Sequence, residues 1–175
     1  MSTRDIVWAP DKVLKTKCTP VETIDDEIRQ ILDDMLETMY AAPGIGLAAP
    51  QIGLTKRLIV IDVADKDEEP RPLKIVNPEI VWSSEEVSTY EEGCLSLPGH
   101  YADVTRPAAV KVKYLDENGE EREVEADGLL ATCLQHEIDH IDGVLFVDHL
   151  SALKRNMILK KMTKAKKQRA EDEAA

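Results

Sequence analysis

His136-Glu137-Ile138-Asp139-His140 places two imidazoles four residues apart, with a carboxylate beside the first. On an α-helix that spacing sets both rings on one face, about one turn apart. Two such rings can share a divalent metal, and the adjacent Glu137 can act as general base on a water at that metal. Leu129, Cys133, His136 and His140 fall on one helical stripe, so apolar side chains lead into the imidazoles. Leu129 and Cys133 read either as ordinary core or as the wall of a substrate pocket. Cys133 suits a buried, inert thiol better than a ligand, because three ligands on one short helical stretch would crowd the ion.

A third ligand must come from elsewhere in the chain. Cys94, in Glu92-Gly93-Cys94-Leu95-Ser96, is the best candidate. It follows a glycine that permits close backbone approach, and its thiolate is a strong ligand for zinc and other transition metals. A Cys-His-His set leaves a fourth position for water, which is the catalytic pattern; a fourth protein ligand would make the site structural. His100 and His149 are the imidazoles that could close it. A further segment, Gly44-Ile45-Gly46-Leu47-Ala48-Ala49-Pro50-Gln51, reads as a helix stop and loop. It also reads as a small-residue surface where a ligand backbone lies close, with the Gln51 amide facing a developing oxyanion.

The elements that must position these residues are legible from periodicity. Ile24, Ile28, Ile31, Leu32, Met35, Leu36, Met39 and Tyr40 recur at helical spacing and predict a helix over 24–40. Thr23 with Asp26 reads as a capping box, and Pro43-Gly44 ends the helix. Strands are predicted at 58–63, 74–77, 79–82, 86–90 and 110–114, with a turn at 116–119 returning as a hairpin over 121–125. Residues 65–72 are charged and Pro-bearing, which predicts an exposed loop. A helix over about 127–141 carries the two imidazoles and stops at Asp142-Gly143. A last helix starts near Ser151 as N-cap. The expected class is α+β: mixed or antiparallel strands packed around a central metal-binding helix, with one N-terminal and one C-terminal helix.

The chain has 175 residues, enough for one domain with a full core. Residues 1–153 are expected to form the catalytic domain and 154–175 a basic helical tail. Lys154 to Arg169 holds eight basic residues and no acid, against a net charge of −12 overall. That acidic body argues against DNA. The tail reads as a solvated helix face or as a dock for ribosomal RNA. Three widely spaced cysteines argue against a disulfide framework. No apolar run is long enough to span a membrane, and the N-terminus has no secretory signal, so the expected location is cytoplasmic.

Taken together, Gly44–Gln51, Glu92–Ser96 and His136–His140 resemble the three signatures of the peptide deformylase family, in family order. The resemblance implies removal of the formyl group from the N-terminal formyl-methionine of nascent bacterial polypeptides. It implies that Cys94, His136 and His140 bind one divalent metal, with water as fourth ligand. Ferrous iron is favoured, with zinc or nickel as alternatives. It further implies that Glu137 moves the proton, that Gln51 and the Leu95 N–H hold the oxyanion, and that Ile45 and Gly46 line the substrate cleft. Helical spacing adds Leu129 and Cys133 as walls for the methionine side chain. The rival readings are an H-E-x-x-H metallopeptidase, which needs a ligand downstream of His140, and a structural metal domain with an RNA-docking tail.

Overall fold

A computed structural model describes residues 2–174. It contains α1 (Asp26–Ala41), β1 (Gly46–Ala48), β2 (Leu58–Ile61), β3 (Leu73–Ser83), β4 (Val87–Gly93), β5 (Tyr101–Pro107), β6 (Ala109–Leu115), β7 (Glu121–Asp127), α2 (Gly128–Ile141) and α3 (Ala152–Ala174). The strands form a five-stranded sheet, ordered β1-β2-β3-β6-β7, and a separate pair, β4-β5. Every pairing is antiparallel. The class is α+β, as the sequence predicts.

The apolar run of β2 explains the layering. Leu58 and Val60 face α1, where they meet Ile28, Ile31, Leu32, Met35 and Met39. Ile59 and Ile61 face the other way, onto Ala131, Cys133, Leu134, Ile138 and Ile141 of α2. All four strand residues are buried, so the run is continuous instead of alternating. Helix α2 thus lies inside the molecule, with the large sheet on one side and β5 on another. A third apolar cluster joins Ala9, Leu14, Leu97, Val104, Phe146 and Met162, and so brings both ends of the chain together.

Helix ends follow local chemistry. The N-cap of α1 is Asp25, whose carboxylate accepts from the Ile28 N–H at 3.0 Å. The expected Thr23–Asp26 box does not form, because Asp25 is the residue with extended backbone at the boundary. Asp26 and Glu27 then occupy the positive end of the helix dipole. Ser151 caps α3, its hydroxyl accepting from the Lys154 N–H. At the end of α2, Gly143 adopts φ +79°. Its N–H reaches the His140 carbonyl, and the Val144 N–H reaches that of Asp139, a Schellman closure.

Strand expectations needed three changes. The segments 74–77 and 79–82 are one strand, β3, with register shifts around Pro78 and Ile80. β5 was not predicted: its buried positions are Val104 and Arg106, so a charged residue hides the alternation. β1 lies inside the segment expected to be loop. The loop over 65–72 and the Asp116–Gly119 turn are present.

Gly143 and Gly119 share φ +79°, but a Cβ at Gly143 would stand 2.5 Å from the Lys15 carbonyl oxygen while one at Gly119 meets nothing. Gly119→Ala is therefore expected to cost about 1 kcal/mol from the dihedral alone. Gly143→Ala should cost clearly more, because backbone must move. Urea denaturation of both variants measures the difference; equal losses would show that the close approach is tolerated.

Candidate metal centre

Cys94 emerges from β4 one residue after its end, while His136 and His140 project from α2. One ligand atom from each of the three lies within 4.8 Å of the others. The imidazole centroids are 4.9 Å apart, as one helical turn requires. Cys94 Sγ approaches His140 Nε2 at 3.2 Å. His100, His149, Asp142 and Asp148 are not in this group.

The surrounding bonds orient the donors. His136 Nδ1 lies 2.9 Å from Glu92 Oε1. Burial works against ionised Glu92, but the Arg106 guanidinium and His136 outweigh it and bring the carboxyl down to about 2. A carboxylate there accepts, so Nδ1 carries the proton and Nε2 is left to face Cys94. Arg106 holds Glu92 through Nε at 2.7 Å and Nη2 at 2.9 Å, and reaches Asp139 through Nη1 at 2.7 Å. Asp139 also meets His149 at 2.8 Å, which is where that imidazole is engaged.

Gln51 is almost fully buried. Its Oε1 accepts from the Ala48 N–H at 2.9 Å, so the amide cannot flip without losing that bond. Nε2 is thereby aimed at Cys94 Sγ, 3.4 Å away, and at Ser96 Oγ, 3.1 Å away. A donor end is thus fixed beside the ligand group.

Glu137 is buried, and its Oε1 has no hydrogen-bond partner among the described residues. Burial pushes its carboxyl up to about 7. The space it occupies exists because Gly46 has no side chain: a Cβ there would collide with Glu137 Oε2 and touch Cys133 Sγ at 3.0 Å. The Cys133 thiol is raised well above its ordinary value, chiefly by burial, and stays protonated.

These residues open onto a cleft of about 830 Å³. Ile45, Gly46, Gln51, Cys94, Leu95, Leu129, Cys133, His136 and Glu137 all line it. Ile45 and Leu129 are exposed on its rim, and Cys133 is buried at its wall. The residues singled out from sequence therefore converge. Those that were missed are Glu92, Arg106 and Asp139, while His149, weighed as a fourth ligand, pairs with Asp139. Glu92 and Asp139 stood inside quoted motifs; Arg106 gave no signal, since its partners are distant in sequence.

Cys-His-His is a donor set that suits zinc, iron or nickel, with room for a further ligand. The unpartnered Glu137 oxygen beside it suits a water held near such an ion. The residues therefore fit a catalytic metal.

A family model of polypeptide deformylase matches residues 3–156. The chain belongs to that family. The peptide deformylase of Rhizobium meliloti (strain 1021) is 60% identical over 169 residues, covering 97% of each chain. The crystal structure of peptide deformylase from Ehrlichia chaffeensis superimposes with a TM-score of 0.91 at 42% identity, covering 97% of this chain and 99% of that one. A complex of Ehrlichia chaffeensis peptide deformylase with actinonin gives a TM-score of 0.90 at 45% identity, covering 94% of this chain and 98% of that one.

For a deformylase the spacing between Gly46 and Glu137 should govern rate more than stability. Gly46→Ala is expected to retain bound metal yet lower kcat about 100-fold, the cost of a misplaced proton-transfer group. Metal analysis and turnover of a formyl-methionyl peptide check this; full turnover would separate Glu137 placement from the reaction.

Proposed function

We propose that this chain is the peptide deformylase of its cell, a metal-dependent hydrolase that removes the formyl group from N-terminal formyl-methionine of new polypeptides. The observation that carries the reading is the Cys94-His136-His140 group, two members of which line a cleft together with Glu137 and Gln51. Membership of the family supports it. An endopeptidase of the H-E-x-x-H kind needs a downstream third ligand, and Asp142, Asp148 and His149 are not members of the group.

Cys94, His136 and His140 hold the ion, for which ferrous iron is our working assignment and zinc and nickel the alternatives. When bound, the ion acts as a Lewis acid toward the formyl carbonyl and lowers the pKa of water. Glu137 takes a proton from the attacking water and returns it to the leaving amine. Gln51 Nε2 and the Leu95 N–H donate to the oxygen on which negative charge develops. Ile45 and Gly46 line the substrate cleft, and Leu129 and Cys133 wall the methionine side chain. β1 is an edge strand, β4 pairs only with β5, and residues of both line the cleft. An extended peptide can therefore bond to unpaired strand backbone while its formyl end reaches the ligands.

Residues 1–153 form the catalytic unit in this reading, and 154–175 an accessory segment. Lys154, Lys160, Lys161, Lys164 and Lys167 are exposed on α3. We assign them to docking on ribosomal RNA, where the substrate emerges. Among the described residues no helix is long and apolar enough to cross a membrane, and a cytoplasmic site of action accords with the substrate.

The direct test is release of formate from formyl-Met-Ala-Ser under anaerobic conditions with ferrous iron, beside Cys94→Ala. The wild type should turn over and the variant should lose both metal and activity; no turnover by loaded wild type would end the reading. Gln51→Ala should lower kcat on the order of 100-fold, the usual loss of one oxyanion donor. Glu137→Ala should stay metal-loaded by elemental analysis yet be inactive, and loss of metal would instead make Glu137 a ligand. Replacing Lys160, Lys161, Lys164 and Lys167 by Glu should abolish co-sedimentation with ribosomes at low salt. Sedimentation at the wild-type level would refute the docking assignment.

A further inference from the structure

The cleft extends beyond the three family segments. Its outer wall is made by Thr3, Arg4, Asp5, Ile6 and Trp8, together with Arg169 of α3. Arg169 lies past residue 156, where the family match ends. Its place is nevertheless well fixed. Met162 is fully buried under the N-terminal segment, and Lys166 Nζ pairs with Asp11 Oδ2 at 3.0 Å. One turn further on, the Arg169 guanidinium lies over the Trp8 ring, 4.3 Å from its centroid. Nη1 donates to the Ile6 carbonyl at 2.9 Å, and Nε makes a looser 3.3 Å bond to Glu173.

The other cation of this wall spends two nitrogens on one carboxylate, whereas Arg169 pairs with Glu173 through Nε alone. Arg4 gives both Nε and Nη2 to Asp34 Oδ2, at 3.2 and 2.9 Å. Arg169 has five N–H donors, and its Nη2 has no hydrogen-bond partner among the described residues. Asp5 and Glu91 also line the cleft, so its walls are not uniformly cationic. The cleft volume is toward the upper end for sites that bury a drug-sized ligand, so it holds more than a formyl-methionine.

We propose that Arg169 is a specificity-determining residue, which binds a carboxylate side chain of the substrate peptide downstream of its formyl-methionine. The proposal rests on the deformylase reading above. Trp8 holds the guanidinium plane, the Ile6 carbonyl fixes its rotation, and Nη2 is left to bind the peptide carboxylate. Because the contact is remote from the scissile bond, it is made equally in the ground and transition states. It therefore acts through KM and leaves kcat alone.

The experiment compares two formyl-Met-Ala-Ser peptides, one extended by two glutamates and one by two lysines. The wild type is expected to favour the acidic peptide about tenfold in kcat/KM, carried by KM, with the preference shrinking as salt rises. Arg169→Met should remove the preference, Arg169→Lys should restore part of it, and Arg169→Glu should reverse it. A merely structural role for Arg169 would lower both peptides alike and leave the ratio unchanged, which would overturn the proposal. So would a wild type with no preference. Turnover of unextended formyl-Met-Ala-Ser by the wild type tests the deformylase reading separately: its failure would sink both, whereas its success with an unaltered ratio would sink this proposal alone.

Discussion

The centre depends on one buried guanidinium. Arg106 of β5 binds Glu92 of β4 with two nitrogens and Asp139 of α2 with a third. It thereby ties the two-stranded sheet to the helix that bears both imidazoles. Glu92 carries the constraint inward to His136 Nδ1, and Cys94 lies two residues further along the chain. Two ligands come from one element and the third from another, so something must set their separation. Apolar packing alone would tolerate a small rotation between sheet and helix. A forked, bidentate ion pair tolerates far less. Desolvating such a pair costs several kcal/mol per ion, and apolar replacements are often as stable. Its contribution here is orientation more than stability.

The same neighbourhood holds two buried carboxyls in opposite states. Glu92, paired with Arg106, is held to about 2 and remains an acceptor. Glu137 has no such partner, and burial raises it to about 7. One environment stabilises the charged carboxylate; the other, through burial, disfavours it. The second state needs close quarters without a competing donor. Gly46 supplies them by having no side chain where Glu137 lies. The glycine of the first segment and the glutamate of the third are therefore a single steric unit, although 91 positions separate residues 46 and 137.

Much of this was legible in the sequence, for identifiable reasons. Helix α1 announced itself through apolar spacing, and the metal group through residue types whose chemistry is narrow. Leu129 and Cys133 followed from helical geometry alone. What was hidden involved residues whose meaning depends on a distant partner. Arg106 occupies an inward-facing strand position where an apolar residue is usual, so both the strand and its role escaped notice. β1 is three residues long and contains a glycine, too short for a period to show. Pro78 made one bulged strand look like two.

The C-terminal helix shows the same limit from another side. Its lysines suggest a solvated tail, and its apolar Leu153 and Met157 are indeed exposed. The face that packs is Ile158, Leu159 and Met162, continued by the long stems of Lys166 and Arg169. Such stems cover apolar surface while their charged ends find partners, so hydrophobic periodicity underreports the contact. The consequence reaches the cleft. Residues 3–8 are tied to α1 through Arg4, whose N–H meets Thr38 and whose guanidinium meets Asp34, and to the Gln51 carbonyl through the Val7 N–H. α3 adds a second hold at Trp8 and Ile6, and residues of this segment line the cleft. The exposed lysines and Arg169 belong to one continuous helix. A partner on the lysine face and a peptide in the cleft would therefore bear on the same helix from opposite sides.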